Sequence, residues 1–257
     1  MSTPNMNSAG TGSAADVVKS GFGVSLTRLA AVFYAPVEMF KDMARRFGWT
    51  DWLTPILVGI VVSVVVGFLV FPSLDLETGT REQLEAAGLS GEQVEQRIDA
   101  QKQFLEGPLG KVVMLSNIVV YPLTIMLLAL IFWGGAAAMG AGIKYSRVVA
   151  LMAYAWLPRL LEGALLVFVL QGRDPVRQDR LSGVLATNPA SYLDVSQAGT
   201  PLYALMGALN PFTLWAMVLV ALGLAGIGRL ARGTAMTVVF GLYAVWVVIL
   251  MGWAAIF

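Results

Sequence analysis

The chain is expected to be an all-α membrane protein: a five-helix transmembrane bundle with an N-terminal amphipathic interfacial helix and a short extracytoplasmic helical hairpin. Three observations lead there. Apolar residues make up 57% of the 257 residues and charged ones 13%, where a soluble domain carries about a quarter. Mean hydropathy is +0.73. Five apolar stretches are each long enough to cross hydrocarbon, which takes about 20 residues at 1.5 Å rise.

Residues 1–20 are mostly Ser, Asn, Gly, Thr and Ala. They read as a disordered tail without the apolar core of a signal peptide, so the first span must act as the insertion signal. Residues 21–50 form the amphipathic segment. Pro36 suits a first helical turn, and Val37, Phe40, Met43, Ala44 and Phe47 then recur at helical spacing. Glu38, Lys41, Asp42, Arg45 and Arg46 occupy the other face. Such a helix suits the headgroup plane, with Lys41, Arg45, Arg46, Phe40 and Phe47 as membrane-surface contacts. A helix packed against the cytoplasmic end of the bundle would carry the same pattern.

The five-span domain covers 51–257, with spans expected at 52–71, 112–138, 148–170, 202–227 and 234–257. Trp49, Trp52, Tyr145, Tyr203 and Trp253 lie near span ends, as an interfacial belt requires. The segments before span one and after spans two and four carry nine basic residues, among them Lys144, Arg147, Arg229 and Arg232, against four acids. The two longer links hold seven basic residues and eleven acids. Positive residues in short loops favour the cytoplasm. The N-terminus is therefore expected on the cytoplasmic side and the C-terminus on the extracytoplasmic side. Within the first long link, Thr80 with Gln83 and Ser90 with Gln93 have capping-box spacing. A short helix ending near Gly88 and a longer one from Gly91 to about Leu105 follow. The second link, from Gly172 to Thr200, reads as an irregular loop with one short helix.

"MAYAWLPRLLEGALL" (Met152–Leu166) places Pro158, Arg159 and Glu162 where hydrocarbon is expected. A charge at that depth costs about 2.5–3.5 kcal/mol on insertion scales. Residues three apart share a helix face, so the two charges can pair. Pro158 frees the carbonyl of Tyr154 as a further partner for the guanidinium. Span two has Asn117, Tyr121 and Pro122, and span four has Asn210, Pro211 and Thr213. Broken helices are tolerated where they are buried or line a cavity. Pro158, Arg159, Glu162, Asn117, Tyr121 and Asn210 are thus a candidate intramembrane polar centre. It serves either as a site for a lipid headgroup, ion or small solute, or as a network that fixes helix packing. Gly134, Ala138 and Gly142 add a face of small residues on which a helix could approach.

Cysteine and histidine are both absent, which excludes disulfides and thiol nucleophiles; no metal and no cofactor are expected. Phosphate-loop, HExxH and GxSxG signatures are missing, so no catalytic residue is assigned. A net charge of +1 gives no reason to expect nucleic acid. The expected partners are membrane lipids, and a protein partner or second copy through the bundle.

Three stretches carry a family resemblance: "LAAVFYAPVEMFKDMARRFGW", "VVALMAYAWLPRLL" and "LNPFTLWAMVLVALGLAGIGRLARGTAMTVVFGLYAVW". They resemble the bacterial branch of the Yip1 family, with Phe212, Trp215 and Gly223 at matching places. Where many relatives have an acid, this chain has Asn210, so roles needing a charge there are not carried over. The resemblance implies five spans and a cytoplasmic N-terminus. Eukaryotic members bind Rab-type GTPases in membrane traffic; nothing in the short tail, 1–20, resembles their long acidic region, and that activity is not carried over either. The expected role is a non-enzymatic membrane scaffold that organises partners through the basic amphipathic segment and the bundle. The alternative is a transporter or lipid-handling protein acting at Arg159 and Glu162.

Overall fold

The computed structural model describes residues 20–256, so all but the end of the expected tail lies outside the described residues. In chain order the helices are α1 (Phe22–Tyr34), α2 (Pro36–Arg45), α3 (Thr50–Val70), α4 (Leu76–Ala86), α5 (Gly91–Glu106), α6 (Pro108–Leu115) and α7 (Asn117–Ala138). They continue as α8 (Tyr145–Ala155), α9 (Leu157–Leu170), α10 (Pro201–Ala208), α11 (Pro211–Gly228) and α12 (Arg232–Ile256). Five stretches are long and apolar enough to cross a membrane: Thr50–Ser73, Asn117–Ala138, Tyr145–Leu170, Pro211–Gly228 and Arg232–Ile256. The protein is an all-α, multi-pass membrane bundle. We call the side on which the first span begins proximal and the other distal.

The centre of the bundle is α8. No residue from Val148 to Ala155 is more than 4% exposed, as expected of a helix apolar on every side. It packs between α3, α7 and α11, with α1 along its flank. Leu151 presses on Gly223 of α11, where a Cβ would overlap it. The outer faces carry exposed apolar side chains such as Val61, Val119, Phe168, Trp246 and Val248, which meet acyl chains.

Three of the expected spans are interrupted. Residues 112–138 divide between α6 and α7 at Ser116, 148–170 between α8 and α9 at Trp156, and 202–227 between α10 and α11 at Asn210. In the last two, Pro158 and Pro211 sit in the first turn of the following helix, where a missing amide costs nothing. The expected face of Gly134, Ala138 and Gly142 is corrected: Cβ atoms on Gly134 and Gly142 would meet nothing, and the close approach is at Gly135, against Val238 and Leu242. Gly142 lies beyond the end of α7, which breaks the four-residue register.

The N-terminal segment is two helices. Ala35 (φ −140°) ends α1, and Pro36 opens α2 as its spacing suggests. The apolar face of α2 packs on α11, with Phe40 and Met43 fully buried. Phe40 is therefore corrected as a membrane-surface contact: its Cβ lies over Gly226, which has no side chain to keep it away.

On the distal side α4 and α5 form a hairpin. Gln93 Oε1 accepts from the Ser90 amide at 3.0 Å, realising that capping box. Thr80 is not a cap, because α4 begins at Leu76 with Asp75 accepting from the Thr78 amide at 3.0 Å. The Thr80 hydroxyl donates to the Leu76 carbonyl instead. A feature absent from the sequence reading ties the two distal links: strands β1 (Leu74–Asp75) and β2 (Val176–Arg177) pair in parallel. The second link is otherwise irregular, with short 3-10 segments at Gln178–Gly183, Pro189–Tyr192 and Val195–Gln197.

Candidate functional site

Local breaks bring the third and fourth spans together at their polar residues. At Trp156 the helix tightens, and the Arg159 amide reaches back to the Trp156 carbonyl at 3.0 Å. Arg159 and Glu162 then emerge on one face of α9 and form an ion pair. Across from them Asn210 caps α11: its Oδ1 accepts from the Phe212 amide at 2.9 Å, and its Nδ2 donates to Glu162. Thr213, one turn into α11, accepts from Arg159 Nη1 at 3.0 Å. This hydroxyl, and not the Tyr154 carbonyl, is the second partner of the guanidinium.

The arrangement is electrically balanced. Glu162 lies at the N-terminus of α11, where the helix dipole favours negative charge, and Arg159 neutralises it. Asn210 is 4% exposed, while the Arg159 and Glu162 side chains keep 35% and 17% of their surface. Tyr243 of α12 donates to the Ala208 carbonyl, closing the gap left between α10 and α11. Pro158 is buried and contributes geometry, not a hydrogen bond.

Asn117 and Tyr121 do not join this network. Asn117 Nδ2 donates to the Ser63 carbonyl at 3.4 Å, beside Gly67 of α3. The Tyr121 ring lies on Gly59, and its buried hydroxyl has no partner among the described residues. Both belong to the contact between spans one and two. A Cβ on Gly59 would overlap the Tyr121 ring, so Gly59→Ala is expected to lower stability by about 1–3 kcal/mol through overpacking. Unfolding in detergent measures this, and the added Tyr121→Leu change should relieve it.

A second polar cluster, missed in the sequence reading, lies at the proximal end. Asp51 is 0% exposed and Arg28 3%. Arg28 Nη1 donates to Asp51 Oδ1 at 2.5 Å, and its Nη2 to Asp42 Oδ2 at 2.7 Å and the Arg46 carbonyl at 3.0 Å. Ser20 and Ser25 hydroxyls donate to Asp51 Oδ1 at 2.9 and 2.8 Å, and the Gly48 amide to Oδ2 at 2.8 Å. The Tyr154 hydroxyl donates to the Ser25 carbonyl at 3.0 Å, fastening α1 to the central helix. Two signals were present: Ser25, Arg28 and Val32 share one face of α1 at helical spacing, and Asp51 is a lone acid opening an apolar span.

Burial works against the charge on Asp42, but hydrogen bonds from Arg28 and Arg46 outweigh it and hold its carboxyl below the usual value of 3.8. A depressed folded pKa contributes stability that is fully present above the ordinary value and lost as pH falls through the folded one. The unchanged protein should therefore lose more thermal stability than Asp42→Asn when pH is lowered from 6 to about 3, as read by melting curves in detergent.

Of the expected surface residues, Lys41, Arg45 and Arg46 are exposed. Arg46 turns back to Asp42 at 2.7 Å. Phe47 is partly buried with the Arg147 guanidinium 5.3 Å from its ring centre.

No curated protein and no solved structure matches the chain. The Yip1 domain matches residues 30–256, a range that contains α2, all five spans and the Arg159–Glu162–Asn210 network. The chain belongs to the Yip1 family.

Proposed function

We propose that this protein is a non-enzymatic membrane scaffold, whose N-terminal helical pair and bundle organise anionic lipids and a protein partner at the proximal face. What supports the reading is the closure of the polar centre: Arg159, Glu162, Asn210 and Thr213 bond one another across two interrupted spans. The charges hold helices together. Lys41, Arg45, Lys144, Arg147, Arg229 and Arg232 belong to the proximal segments, and the bias of such residues favours a cytoplasmic proximal side in a bacterial inner membrane. The buried Arg28–Asp51 pair keeps α1 and α2 docked, so that Lys41 and Arg45 face outward.

Each basic side chain near an anionic surface contributes about 1 kcal/mol. Lys41→Glu with Arg45→Glu is therefore expected to weaken retention of phosphatidylglycerol by roughly tenfold or more. Native mass spectrometry from nanodiscs of mixed phosphatidylglycerol and phosphatidylcholine reads this directly. Equal lipid retention in the variant would defeat the scaffold reading.

One observation favours the second reading, a transporter or lipid-handling protein: Arg159 leaves about a third of its side chain uncovered within a span, where an ionisable residue marks a functional site by default.

A further inference from the structure

The distal segments form an open cleft of about 430 Å³, within the range of small-molecule sites, about 300–1,000 Å³. Leu76, Gly79, Thr80 and Gln83 line it from one face of α4, Gln101 from α5, and Gln178 from the residue after β2. The β1–β2 pairing joins walls that are a hundred residues apart in sequence, so the cleft is held from both links.

Gly79 stands out. Glycine inside a helix costs roughly 1 kcal/mol relative to alanine, and no neighbour demands it here: a Cβ would meet nothing within 4 Å. The helix gives up stability at a lining position of α4 and leaves the space beside it open.

The chemistry of the lining selects the ligand. Its two charged residues are already compensated: Asp75 Oδ1 accepts from the Thr78 amide at 3.0 Å, and Arg177 donates to Glu82 at 2.6 Å. The groups left open are the carboxamides of Gln83, Gln101 and Gln178, whose side chains hydrogen-bond to no described residue. A carboxamide is uncharged and offers two donors and an acceptor. Three of them complement a neutral ligand that is equally dense in donors and acceptors. An apolar ligand would strand the amides, at about 1–3 kcal/mol for each group left unsatisfied. A charged ligand finds no uncompensated partner, because Asp75 and Arg177 lie in the same lining and already have partners of their own. We propose that this cleft binds a neutral sugar of one or two rings, with Leu76 against the ring face and the glutamines on its hydroxyl or acetamido groups. The site stands independently of the scaffold reading.

The test uses the full-length protein in nanodiscs with chitobiose and maltose as probes, followed by saturation-transfer NMR. At least one probe should receive saturation, with a Kd near 1 mM, on the order expected for a small open site. Gly79→Leu should weaken binding about tenfold or more by filling the cleft. Gln83→Ala with Gln101→Ala should do the same, and because those side chains hydrogen-bond to no described residue, the melting temperature should hold. This second variant carries the test if Gly79→Leu does not fold. No saturation of either sugar at about 20 mM, or undiminished transfer in the glutamine variant, overturns the proposal.

Discussion

Asp51→Ala is expected to destabilise the protein by about 3–5 kcal/mol, the usual loss when one member of a buried ion pair is removed. The carboxylate accepts from Arg28, Ser20, Ser25 and the Gly48 amide, and alanine would leave all four donors without it. Arg28, 3% exposed, would keep Asp42, the Arg46 carbonyl and a long 3.5 Å bond to the Ser20 hydroxyl. Because Ser20, Ser25 and Arg28 belong to or flank α1, the damage should concentrate there. Limited proteolysis should cut the α1–α2 pair in the variant well before the spans unfold. The double change Arg28→Met with Asp51→Leu should recover the part of the loss that comes from the stranded guanidinium, since apolar replacement of both partners is often neutral and Asp42 retains Arg46. The Ser20, Ser25 and Gly48 donors stay without the carboxylate. An Asp51→Ala protein within about 1 kcal/mol of the unchanged chain would mean that this pair does not hold the helical pair to the bundle.

The contrast between the two clusters shows what a sequence makes legible in a membrane chain. Arg159 and Glu162 announce themselves because their spacing puts them on one helix face inside an obvious span. Asn210 is signalled by the proline that follows it. Arg28 and Asp51 are separated by two helix ends and lie in segments whose polarity looks like ordinary interfacial character; only packing reveals that both are enclosed. The same limit explains Asn117 and Tyr121. Proline next to polar residues marks a break, but depth and azimuth decide which breaks meet, and Gly59 and Gly67 draw these two toward span one. Phe40 fails for a related reason. An apolar face at helical period is equally suited to lipid and to protein, and the glycine on α11 that receives it is remote in sequence.

Arg159→Ala separates the two functional readings. Loss of the guanidinium leaves Glu162 with Asn210 alone, inside a span, where an unpaired charge is costly; about 3–5 kcal/mol of destabilisation follows. The informative partner is the exchange Arg159→Glu with Glu162→Arg. It restores the pair, and the Thr213 hydroxyl, now an acceptor, can rotate to donate to a carboxylate. Asn210 adapts less easily: its oxygen caps the Phe212 amide, so turning the amide toward a guanidinium would remove the cap, which is worth about 1 kcal/mol. The exchange should therefore recover stability up to roughly that deficit. If the centre only fastens spans three and four, lipid retention and any partner association should return with stability. If it handles a lipid or solute, the exchanged protein should fold yet give no flux or headgroup binding in liposomes where the unchanged protein does, because the positive charge has moved by one helical turn. Stability that returns while such a signal stays lost would assign the pair to transport or lipid handling and end the scaffold reading.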